Sequence, residues 1–133
     1  MQADTIVRRY PSTRIASLRP SWCTDDWDGG EDPERRKNDL WAYVGLEAVA
    51  QAFLRAVDLD DQAWVGHEAF FVIAPETTHG AAKKLWEAHW KDIPIKEGRN
   101  LEEGFFNCSK AKRLLGWTHG TRAQRLGGMK EQL

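Results

Sequence analysis

The segment "GLEAVAQAFLRAV" places Leu46, Val49, Ala50, Phe53, Leu54 and Val57 at i, i+3, i+4, i+7, i+8 and i+11, an apolar stripe that predicts an amphipathic helix. "TRIASL", Thr13 to Leu18, alternates apolar and polar positions and predicts a strand stopped by Pro20. The run "AFFVIA" is too short for a helix and rich in β-formers, which predicts a buried strand ended by Pro75. A second helix is predicted from Thr78 to Trp90, with Ala82, Leu85, Trp86 and His89 on one face. "IPI" at 93–95 predicts a short edge strand, since Pro94 limits its pairing. In "NCSKAKRLLGW" a third helix is predicted, with Ser109 as its cap, Ala111, Leu114 and Leu115 as its apolar stripe and Gly116 as a left-handed stop. Ser21 to Asp39 has few aliphatics, two adjacent glycines and a proline, and reads as a surface loop. The order strand, helix, strand, helix, short strand, helix predicts an α/β fold, with ligands held by the loops after the strands' C-terminal ends.

Length and charge narrow the classes. At 133 residues and 41% hydrophobic, with seven tryptophans, the chain is read as one domain with a real core. A net charge of -1 gives no field to recruit nucleic acid or an anionic membrane. The first twenty residues lack a signal-peptide core and no segment reaches the apolar length of a membrane span, which predicts a soluble, cytoplasmic protein. Cys23 and Cys108 lie far apart without CxxC spacing, as suits reduced thiols rather than a disulfide scaffold.

Few local patterns carry chemistry. "TDDWDGGED" invites a calcium loop, but with Gly29 in the glycine slot the first ligand is Thr24 and the twelfth Arg35, so a solvated acidic loop is the better reading. His67, His79, His89 and His119 never pair at i, i+4 and have no HExxH neighbour, which argues against zinc. No GxSxG turn surrounds a serine, so nucleophilic catalysis has no sequence signal. The cations of "SKAKR" read as the solvated face of a helix.

Four segments in order, "TRIASLRPS", "DLWAYVGLEAVAQAFLRAV", "GHEAFFVIAPETT" and "FNCSKAKRLLGW", resemble the C-terminal part of the NAD(P)-dependent epimerase/dehydratase family. These are extended short-chain dehydrogenase/reductases, similar to UDP-sugar 4-epimerases. The resemblance covers most of residues 10 to 118 and implies a partial doubly wound, Rossmann-like fold: late sheet strands plus the small substrate-binding lobe. It implies NAD or NADP as cofactor, with Pro20 and Ser21 near the nicotinamide, and Trp22 and Tyr43 toward a sugar-nucleotide substrate. The family's "YVHVDDVA" pattern is altered here to Tyr43-Val-Gly-Leu-Glu-Ala-Val-Ala50, with Gly45 in the histidine's place. Asn107 likewise stands where an aspartate is usual.

The family's dinucleotide turn, GxxGxxG, and its catalytic YxxxK pair have no counterpart in these residues: Tyr10 and Tyr43 are followed four positions later by Arg14 and Glu47. The resemblance therefore implies a chain that starts after the catalytic helix, an isomerase or oxidoreductase lobe inactive alone. Two further readings fit the same residues. One is a non-catalytic module that binds a sugar nucleotide, or pairs with a full-length relative or a second copy through an uncovered sheet edge. The other is a gene remnant that does not fold stably, because helices without their sheet expose apolar faces.

Overall fold

A computed structural model describes residues 2–25, 32–59, 63–99 and 101–120. In chain order the elements are α1 (Gln2–Arg9), β1 (Ile15–Pro20), β2 (Trp22–Cys23), α2 (Pro33–Arg36), β3 (Tyr43–Val44), α3 (Leu46–Asp58), β4 (His67–Val72), α4 (Ala82–His89) and α5 (Ser109–Leu115). A 3-10 turn, Lys37–Asp39, follows α2. The fold is mixed α/β with parallel strands: β1 pairs with β4 from Ile15↔His67 to Pro20↔Val72, and β2 pairs with β3 through Trp22↔Tyr43 and Cys23↔Val44. The two pairs meet where Ala74, just past β4, donates its N–H to the Tyr43 carbonyl at 2.8 Å. Among the described residues no helix is long and apolar enough to cross a membrane.

Alternation explains why Pro20 ends β1 from inside it. Ile15 donates its N–H to the Gly66 carbonyl at 2.9 Å, so Ile15, Ser17 and Arg19 turn their peptide groups toward β4. Ala16, Leu18 and Pro20 turn theirs away, and the proline's missing N–H removes no bond to β4. The strand predicted at Thr13 to Leu18 is thus displaced to Ile15–Pro20.

Side chains follow the same alternation. Phe70 and Val72 of β4 face the core, where they meet Val44, Ala48, Ala52, Trp64, Ala111, Leu115 and Trp117. His67 and Phe71 stand on the opposite face, beside Ile15 and Arg19 respectively. Helix α3 buries its alanine edge, Ala48 and Ala52, rather than its predicted stripe: Phe53 is 53% exposed and Val57 79% exposed. Close helix-on-sheet packing favours the small edge with Val49 beside it, and Phe53, Leu54 and Val57 are left outward among the described residues.

Several loop and helix expectations need correction. The segment Ser21 to Asp39 is partly ordered: β2 lies at its start, and Pro33 opens α2 with the Asp32 carboxylate accepting the Glu34 N–H at 3.0 Å. Its residues 26–31, which include most of the acidic loop weighed for calcium, lie outside the described residues. Trp41 is the reason for this order. It is fully buried with its indole N–H on the Pro33 carbonyl at 2.8 Å, and Leu40 and Trp41 both adopt positive φ, at 56° and 53°. Such backbone strain persists only when surrounding contacts hold it. Buried Arg36 supplies them, donating to Asp39 at 2.8 Å and to the Ala42 carbonyl at 2.8 Å.

Helix α4 starts at Ala82, not Thr78, because Thr77 is engaged in a tight turn, donating its hydroxyl to the Gly80 carbonyl at 2.6 Å. Residues 93–95 form no strand; Ile93 instead accepts the Trp86 indole N–H at 3.0 Å. In α5 the cap is supplied by Asn107, whose Oδ1 accepts the Ser109 N–H at 2.9 Å, while Ser109 itself is already helical. Gly116 ends that helix at φ 61°, the left-handed stop the sequence predicts.

Candidate functional site

Beyond the C-terminal end of β4 the chain opens a cavity of about 870 Å³. Its floor is Ile73, Ala74 and Pro75, and Trp117 and His119 close one side. Lys96, Arg99 and Lys112 bring three cations to the rim, against the carboxylates of Glu97 and Glu103. A wall of one indole, one imidazole and mixed charges at the ends of parallel strands suits a ring-bearing polar ligand.

His119 is the organising side chain. It is 8% exposed, and its Nε2 accepts the Gly45 N–H at 2.9 Å while Nδ1 lies 2.8 Å from the Gly120 carbonyl. A carbonyl only accepts, so Nδ1 carries the proton and the neutral tautomer is fixed. The ring stands edge-on to Tyr43, with centroids 5.7 Å apart, and to Trp117 at 6.2 Å. A Cβ at Gly45 would stand 3.2 Å from Asp25 Oδ1 and 3.6 Å from His119 Nε2, so a larger residue would press on the Asp25 carboxylate. Asp25 in turn accepts the Leu46 N–H at 2.9 Å, capping α3. The polar groups at the start of α3 thus come from Asp25 and His119, distant in sequence, rather than from the segment itself.

The four residues singled out in the sequence gather at the same end of the sheets but outside the cavity lining. Pro20 is the exposed last residue of β1. Ser21 is half-buried, and its Oγ is buried with no hydrogen-bond partner among the described residues. Trp22 is 42% exposed, with the Arg36 guanidinium 4.0 Å above its ring. Tyr43 is buried and donates its hydroxyl to Glu76 Oε1 at 2.6 Å, so its side chain is packed rather than presented. Its carbonyl bond to Ala74 joins this cluster to the cavity floor.

The Ser21 Oγ, buried without a partner among the described residues, is closed to solvent as it stands. The 133 residues hold no GxxGxxG turn of the kind that receives a dinucleotide pyrophosphate. Among the described residues no three His, Cys, Asp or Glu side chains are placed to hold a metal ion. Cys108 lines the cavity, and burial pushes its thiol above the ordinary value of 9.0 although its Sγ donates to the Ile73 carbonyl at 3.5 Å.

His119 and Asp25 had no local signal, since each acts through a contact across more than twenty positions, whereas Lys112 is one of the "SKAKR" cations read from the sequence as a solvated face. A second cavity, of about 700 Å³, lies under α4 and is walled by Trp86, Trp90, Ile93, Ile95, Leu101 and Phe105. Comparison with family models, with curated proteins and with solved structures found no match.

Proposed function

We propose that this chain is the substrate-binding lobe of an NAD(P)-dependent nucleotide-sugar epimerase, dehydratase or related reductase, a partial doubly wound unit that does not turn over alone. The observation that carries the reading is the cavity past the C-terminal end of β4, with Trp117 and His119 on its wall and Lys96, Arg99 and Lys112 on its rim. A diphosphate is drawn to such cations, and the buried Trp117 indole backs the wall from the core. Pro20, Ser21 and Trp22 at the ends of β1 and β2 would then meet the cofactor's nicotinamide end when a nucleotide-binding half is supplied. The ordered four-segment resemblance supports the same assignment.

A second reading, a module that docks on a partner, is favoured by the outward α3 stripe and by the β1 edge, which among the described residues pairs on one side only. The partner would be a full-length relative or a second copy of this chain. Equilibrium dialysis of a UDP-sugar against the wild-type chain and Lys112→Ala, a change at an exposed cavity-lining cation, separates the two. Binding that weakens in Lys112→Ala supports the substrate lobe, and no binding at millimolar ligand refutes it.

A further inference from the structure

On the far face of the β1–β4 sheet, three side chains from separate segments stand in a row. Asp4 of α1 has Oδ1 2.9 Å from His67 Nδ1, and His67 Nε2 lies 2.8 Å from Ser17 Oγ. A carboxylate only accepts, so Nδ1 of the neutral imidazole carries the proton and Nε2 accepts from the serine hydroxyl. Both separations fall within the range at which a base activates a nucleophile and a third group orients the base. The His67 side chain is 7% exposed, whereas Asp4 is half-exposed and Ser17 half-buried.

The surroundings of Ser17 complete a site. Its register partner is Ala69, too small to shield it, and two positions on, Arg19 pairs with Phe71 on the same face. Phe71 is half-exposed and packs edge-on against Phe106 at 5.3 Å, an apolar platform with an exposed guanidinium beside it. The Leu18 N–H, directly after the serine, turns away from β4 by the alternation of the strand.

We propose that Asp4, His67 and Ser17 form a nucleophilic relay that hydrolyses carboxylic esters carrying an apolar acyl group laid on the Phe71–Phe106 platform. The Ser17 Oγ bonds to the ester carbonyl carbon as its proton passes to His67 Nε2, and the carbonyl oxygen takes the electron pair. The tetrahedral intermediate then expels the alkoxide, which leaves as alcohol with the proton from His67. Water, deprotonated by the same nitrogen, attacks the acyl-serine and releases the carboxylic acid. The Leu18 N–H supplies a donor for the transient oxyanion. The relay shares no residue with the cavity lining, although Phe106 of the platform also lines the cavity, so labelling at Ser17 tests the relay separately from the nucleotide-sugar reading.

The test is active-site labelling of the folded chain with an alkyl fluorophosphonate, read by intact mass and peptide mapping. A single adduct on Ser17 is expected, absent from heat-unfolded protein and from Ser17→Ala. Asp4→Asn, a change at a half-exposed side chain, is expected to slow labelling by about tenfold or more. Hydrolysis of p-nitrophenyl butyrate should fall in the same order. No Ser17 adduct on the native chain, or labelling at equal rate in unfolded protein or in Asp4→Asn, overturns the proposal.

Discussion

Replacing His119 by alanine is the sharpest perturbation of the site. It removes the acceptor from the Gly45 N–H, a buried bond of 2.9 Å, and empties the space between the rings of Tyr43 and Trp117. A buried donor left unsatisfied costs about 1–3 kcal/mol, and the lower half applies because the adjoining cavity admits water. Each edge-on ring contact adds about 0.5–1.5 kcal/mol beyond area burial. The sum is a loss of about 2–5 kcal/mol, or a melting temperature lower by roughly 8–20 °C at this chain length. Urea unfolding followed by circular dichroism and by tryptophan fluorescence measures it. His119→Gln, whose amide oxygen can accept the same N–H, should recover part of the loss. A cost below about 0.5 kcal/mol for His119→Ala, or no difference between Ala and Gln, would refute the claim that this bond holds the start of α3 to the cavity wall.

Three more outcomes are expected. The hydrogen bond from His67 holds the Asp4 carboxyl below its ordinary value of 3.8, so the folded chain takes up that proton less readily than the unfolded one. The stabilisation is therefore complete above about pH 4 and is lost as pH falls through the lower folded value, and Asp4→Asn should flatten the slope of urea midpoint against pH in that window. With its thiol raised by burial, Cys108 should react with iodoacetamide well after exposed Cys23, as timed peptide mapping will show; equal rates would contradict the packing around Ile73. Val57→Lys should change stability by less than about 0.5 kcal/mol. In sedimentation velocity it should also weaken any self-association, because Val57 is 79% exposed on the α3 stripe.

Local signals made α3, α4, α5, β1 and β4 legible, whereas α1, α2 and the two-residue strands β2 and β3 went unread. Gly116 sets its own backbone conformation, so the stop of α5 could be read from one residue. The stripe of α3 was visible, yet which edge faces inward depends on how closely the helix approaches the sheet, and the alanines decided it. Order around Trp41 rests on Arg36 reaching Asp39 and the Ala42 carbonyl, which a charged, glycine-containing segment does not advertise. The same holds for the site. Pro20, Ser21 and Trp22 were put forward by the family resemblance alone, whereas His119 meets Gly45 across 74 positions and Ser17 meets His67 across 50.

The tension in this molecule lies between a packed core and an incomplete sheet. Val44, Phe70, Val72 and Trp117 form a continuous apolar interior, while β1 and the outer stripe of α3 are left uncovered among the described residues. A two-stranded sheet is marginal without layers packed on it, and α3 and α5 supply that support on the core face.

Thermal unfolding of the purified chain, alone and with a UDP-sugar, NAD(H) or NADP(H), tests the central claim most directly, because a ligand that binds the native state raises its melting temperature by mass action. A cooperative transition that rises with the UDP-sugar and is unmoved by either dinucleotide is the predicted result. A transition that no sugar nucleotide moves at millimolar concentration would contradict the account.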